Sequence, residues 1–151
     1  MSVSIALHLL AAVIWVGGMF FAYMALRPAA ASTLEPPPRL QLWVHVFKLF
    51  FIWVWLSIII LLATGYWMLF AYFGGFANAG MHIHIMHVVG IVMVLIYFHV
   101  FFAPYRRLRH AVIMQNYPEG GKYLAQIRKL IALNLLIGLL VVVIASGGRY
   151  L

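Results

Sequence analysis

The sequence predicts an all-α integral membrane protein: a four-helix bundle with both termini on the outer, periplasmic side. Three observations carry that expectation. The 151-residue chain is 67% apolar and only 8% charged, with mean hydropathy +1.08, whereas a soluble domain has about a quarter of its residues charged. Four uncharged apolar runs are each long enough to cross a hydrocarbon core as a helix, which takes roughly 17 to 25 residues. The connections between them divide sharply by charge. The composition alone excludes a soluble enzyme, a disordered tail and a secreted module.

The first run, Val3 to Leu26, lacks a basic start and is too long for a signal-peptide core, so it is expected to stay as a helix over residues 3–26. Pro36, Pro37 and Pro38 mark a stiff break. The second helix is then expected over 40–73, with Leu40 to Phe47 interfacial and Leu49 to Phe73 spanning. The third run, Ile83 to Ala103, lies in a helix expected over 82–109. Pro118, Glu119, Gly120 and Gly121 read as a turn, and the fourth helix, expected over 122–148, contains the run Leu130 to Ser146. No repeat or second domain interrupts this, so residues 1–151 form one transmembrane domain.

Charge sets the expected orientation. Arg27, Arg39 and Lys48 lie between the first two spans, and Arg106, Arg107, Arg109, Lys122, Arg128 and Lys129 between the last two. The connection Gly74 to His82 has no Lys or Arg. The positive-inside rule therefore places both basic loops in the cytoplasm and both termini outside, in a bacterial inner membrane, with Arg149 a minor exception. These short basic loops serve topology and contact with anionic lipid, and no nucleic acid is expected.

The residue types left for chemistry are few. There is no Cys, which removes thiolate ligands, iron–sulfur clusters and disulfides. The only acids, Glu35 and Glu119, lie in loop-like sequence, so paired-carboxylate catalysis has no residues to use. Seven His and eight Met remain. Histidine is expensive in lipid, so an intramembrane His is a functional candidate by default.

His8 sits early in the first helix, above a stripe of Ala11, Ala12, Trp15, Gly18, Met19 and Ala22. The small residues in that stripe either leave room for a flat group or let helices pack closely. On the third helix His84, His87 and His99 share an arc of roughly 120°. His82 points away, near the water boundary. His84 and His87 lie about 22 and 18 Å along the axis from His99, which sets two His levels near the two membrane faces. His8 with His87 or His84 forms an expected outer pair, and His45 with His99 an inner one. Two imidazoles on different helices in a low-dielectric surround are what bis-His haem ligation needs, so one or two b haems are expected. Without Cys that haem is non-covalent; Arg27, Lys48 and Arg106 are available to its propionates inside, and Arg149 outside.

A second reading uses Met81, His82, His84, Met86 and His87, because thioether and imidazole ligands suit Cu(I). Met19, Met68 and Met93 would extend a copper path through the bundle. In a third reading the histidines only pack and hydrogen-bond in an accessory subunit. Trp43, Trp53, Trp55, Tyr66 and Trp67 are assigned to interfacial belts and packing. Ala132 and Gly138 on the fourth helix would permit pairing into a homo-oligomer.

The segment His8-Leu-Leu-Ala-Ala-Val-Ile-Trp15-Val-Gly17-Gly18-Met-Phe20 resembles the first helix of CopD-type copper-resistance membrane proteins and of the related HemJ-type protoporphyrinogen oxidases. Met81 to His84 and Tyr97-Phe98-His99, followed by Arg106, resemble the HemJ third helix. The CopD resemblance implies an inner-membrane protein of copper handling. The HemJ resemblance implies b haem, a porphyrinogen substrate and onward electron transfer to a partner such as quinone or a redox protein. His84 stands where HemJ-like sequences carry Lys, and Leu26-Arg27-Pro28 displaces their Leu-Pro-Arg, so CopD is the better label.

Overall fold

The computed structural model describes residues 1–147, and every regular element among them is helical. Four helices are long and apolar enough to cross a membrane: Ser2–Thr33, Pro36–Ala71, Met81–Ile113 and Tyr117–Gly147. The last residue expected in the fourth helix, Gly148, and Arg149 lie outside the described residues. Large apolar side chains such as Val13, Ile52, Ile59, Leu95 and Val143 are exposed along the spans, as lipid contact requires.

Each span departs from its expected bounds for a local reason. The first comprises α1 (Ser2–Phe21), a π-helical turn (Ala22–Leu26) and α2 (Arg27–Thr33). Pro28 has no N–H to donate and would break a regular helix; the wider turn before it lets the helix continue to Thr33. The second span, α3 (Pro36–Ala71), begins at the proline triplet instead of after it. Proline is tolerated there because first-turn N–H groups have no helical partner to lose.

The third span breaks at Ala103, ahead of Pro104, into α4 (Met81–Phe102) and α5 (Pro104–Ile113). In α5, Tyr105, Leu108 and Ala111 are buried while Arg106, Arg107 and Arg109 are exposed. The fourth span, α6 (Tyr117–Gly147), takes in Pro118 to Gly121, expected as a turn. Asn116 explains this: its Oδ1 accepts from the Glu119 backbone N–H at 3.4 Å, and its Nδ2 donates to the Glu119 carboxylate at 3.4 Å. That is a capping arrangement. Gly120 packs against Leu40, Ala111 and Leu108, where a larger side chain would crowd Leu40.

Packing differs between helix pairs. α1 lies close along α3: a Cβ on Gly18 would fall 2.3 Å from the Phe50 ring. α4 and α6 are likewise close, and Gly138 of α6 fits between Val16 and Met93. Gly138 is therefore buried in its own bundle and offers no surface for pairing, a correction to its expected exposure. α3 meets α4 and α5 instead through aromatic rings, with Phe51 against Tyr97 at 5.3 Å and Tyr105 at 4.9 Å, and Trp55 against Phe98 at 5.1 Å.

Candidate functional site

Four of the seven histidines, His8, His82, His84 and His87, gather at the end of the bundle that holds the N-terminus and the Gly-rich connection. The Met1 ammonium donates to the Tyr72 hydroxyl, which ties the start of α1 to the end of α3. Among the residues near this end, Thr64 is the one threonine of α3, and His8 of α1 reaches it.

The Thr64 hydroxyl lies 2.6 Å from the Ile60 carbonyl oxygen, which can only accept, so the hydroxyl donates there. His8 Nδ1 lies 2.8 Å from the same hydroxyl oxygen. With its proton already committed, that oxygen accepts, so His8 carries its proton on Nδ1. The Nε2 lone pair is left free for a metal. Metal-ligating histidines commonly have their tautomer fixed by a contact of this kind. Gly65 lies against the ring, where a Cβ would make an ordinary contact 3.4 Å from His8 Cε1.

On α4, His84 stacks on Phe76 at 5.9 Å, and His87 meets Phe76 at 5.1 Å and Tyr66 at 5.4 Å. Phe76 belongs to a short 3₁₀ turn, Phe76–Asn78, reached through Gly74 and Gly75 at φ 69° and 99°, a backbone region suited to glycine. The turn folds Phe76 back over both imidazoles. Because His8 touches Thr64 and His87 touches Tyr66, two residues on, the two imidazoles lie at one depth in the bundle. Thr64 and Tyr66 are about 200° apart around α3, so the imidazoles approach α3 from different sides.

The five His and Met positions from Met81 to His87 of α4 form two rows. Met81, His84 and His87 recur every three residues; His82 and Met86 are four apart and lead by a further helical repeat to Met93, which is buried in the core with Met19. Met81 is exposed, and the other four are partly buried. Among the described residues no three His, Asp or Glu side chains stand close enough to hold one metal ion.

At the opposite end the two remaining candidates lie on the surface. His45 is exposed and donates from Nδ1 to the Gln41 carbonyl of its own helix at 2.9 Å. His99 is exposed on α4, beside buried Tyr97 and Val100. The stripe beneath His8 is closely packed: Ala11, Trp15 and Met19 are buried and Phe50 fills the space at Gly18.

Thr64 and Gly65 escaped the sequence reading, as did Asn134. A lone threonine in an apolar run at the depth of His8 was the available signal for the first. Asn134 is buried in α6 and donates to the Met93 carbonyl at 3.3 Å, while its Oδ1 has no partner among the described residues.

A family model described as copper resistance protein D matches residues 44–147, more than half of the chain. The chain belongs to the CopD family. Neither the curated proteins nor the solved structures include a match to it. In this CopD-family membrane protein the match covers all but the start of α3, and α4 to α6, and so includes His45, His82, His84, His87 and His99. His8 lies before it. The resemblance to HemJ enzymes rests on the residues of the first and third helices quoted above.

Proposed function

We propose that this protein handles copper, taking Cu(I) at the end of the bundle that holds the N-terminus and passing it between imidazole and thioether ligands. The observation that carries this reading is His8, whose Nε2 is freed by the Thr64 contact at the depth of His87. The family description supports copper as the cargo. His84 and His87 with Met81 form one docking row, and His82 with Met86 a second that leads to the Met93 thioether. Soft and borderline ligands of this kind select Cu(I) over hard cations.

Electrostatics favour the same end. The chain carries a formal charge of +8, yet the connection from Gly74 to His82 contributes no Lys or Arg. A cation arriving there avoids the repulsion it would meet at the basic loops. Positions with few ligands also suit transit, since conduction requires binding weak enough to release the ion. With this end outside, as the charge rule expects, this is periplasmic capture in an inner membrane.

The test is Cu(I) retention by the detergent-purified protein in competition with a chromophoric Cu(I) chelator. The wild type should hold copper that His8→Ala loses. Equal retention by both would remove His8 from the path.

A b haem is the second reading, favoured by the same free Nε2, which suits an axial iron ligand as well as copper. His8 would hold it as the single imidazole, since His87 approaches α3 from a different side, and an inner haem would take His45 and His99. Haem would supply one-electron transfer to a redox partner. A reduced-minus-oxidised absorbance spectrum separates the two: a Soret band and sharpened visible bands in protein grown with ample haem support haem, and their absence leaves copper.

A further inference from the structure

The opposite, basic end of the bundle holds a cleft that the copper reading does not use. It has a volume of about 590 Å³ and opens between the π-helical turn, α2, the start of α3 and α6. Three arginines distant in sequence line it: Arg27, Arg39 and Arg128. No carboxylate is among its lining residues. Of the chain's two acids, Glu119 is engaged by Asn116 and by the Tyr123 hydroxyl at 2.9 Å. Three arginines along one cleft make its lining cationic, which attracts a bound anion.

The rest of the wall is apolar and aromatic. Trp43 and Phe47 are buried along it, their rings 5.2 Å apart, and Leu124 and Ile131 continue it. Arg27 lies over the Tyr23 ring at 4.8 Å, which holds one guanidinium at the rim. Tyr23 belongs to the π-helical turn, a departure from regular helix that recurs at functional sites. The cleft is far larger than a phosphate ion and within the range of organic-ligand pockets, roughly 300 to 1,000 Å³.

We propose that this cleft binds an anionic phospholipid, its phosphate held by Arg27, Arg39 and Arg128 and an acyl chain lying along Trp43, Phe47 and Ile131. Guanidinium forks match phosphate oxygens two at a time, and basic pockets between transmembrane helices hold lipid head groups in this way. The apolar wall continuous with the cationic rim distinguishes a lipid from free phosphate.

Native mass spectrometry of the full chain, released from detergent after incubation with dioleoylphosphatidylglycerol or dioleoylphosphatidylcholine, tests this. One phosphatidylglycerol should stay bound where phosphatidylcholine does not. The pair Arg39→Gln and Arg128→Gln should lower the retained fraction about tenfold or more. Arg106→Gln with Arg107→Gln, which removes equal charge outside the cleft, should leave it unchanged. Should the first pair lower the melting temperature, Arg128→Gln alone supplies the comparison, with Arg128→Lys restoring most of the binding. Three results overturn the proposal: equal retention of phosphatidylcholine, equal loss in both double variants, or displacement of the lipid by the same concentration of inorganic phosphate.

Discussion

The two ends of this bundle are built from opposite materials. At the basic end, α5 and the first turn of α6 pack tightly around Leu108 and Gly120, and a stack of Phe47, Phe51 and Tyr105 fills the space between helices. Charge is concentrated there in exposed arginines. At the other end the connection carries no Lys or Arg, and the imidazoles of His8, His84 and His87 are each held by one or two neighbours. On the two proposals the difference lets one small bundle serve two chemistries: guanidinium takes an anion at the basic end, and imidazole takes a metal where the connection adds no Lys or Arg.

The changes that break this contrast most strongly lie at the imidazole end. Replacing His84 and His87 together by Ala should lower Cu(I) affinity about a hundredfold, because it leaves only Met81 in one row of α4 and His8 as the one imidazole at that depth. Competition with the chelator reads this directly, and an affinity within twofold of wild type would disconnect α4 from the metal. Gly18→Ala tests the scaffold beneath His8. The added methyl drives Phe50 out of its place on α1, and a loss of about 1–3 kcal/mol in unfolding stability is expected, measured by denaturant titration in micelles. An unshifted midpoint would mean that α1 and α3 are not in close contact there.

Thr64→Val sharpens the contrast further. The valine keeps the volume and removes the hydroxyl, so His8 stays while its tautomer is no longer fixed. Cu(I) affinity should fall about tenfold, the lower end of the usual effect of losing an outer-shell partner. Full retention would show that Thr64 only packs. The smallest effect belongs to Arg106→Gln with Arg107→Gln, which should leave copper affinity unchanged, since those residues lie at the far end of the same span.

Much of this architecture was legible in the sequence. The four spans follow from run length and composition, and the depth of each histidine follows from its distance to the nearest span end. Azimuth did not follow as readily. The π-helical turn before Pro28 and the break at Ala103 each reset the angular register of the residues beyond them, α2 and α5, and neither is encoded by hydropathy. The turn expected at Pro118 to Gly121 was absorbed into α6 because the Asn116 and Glu119 pair acts as a cap, a local signal outweighed by two adjacent glycines. Gly138 was expected on the surface, and only the position of Val16 and Met93 reveals that it closes the core. Thr64 was visible as a residue, but its contact with His8 depends on α1 packing against α3 and not against α4.

The central claim is that copper is taken up by imidazoles at the end of the bundle that holds the N-terminus. It is tested most directly by loading detergent-purified wild type and the triple variant His8→Ala, His84→Ala, His87→Ala with Cu(I) under reducing conditions, then measuring copper per chain after desalting. Retained copper in the wild type and none in a folded triple variant is the result expected. Equal copper in both, or none in either, would contradict it.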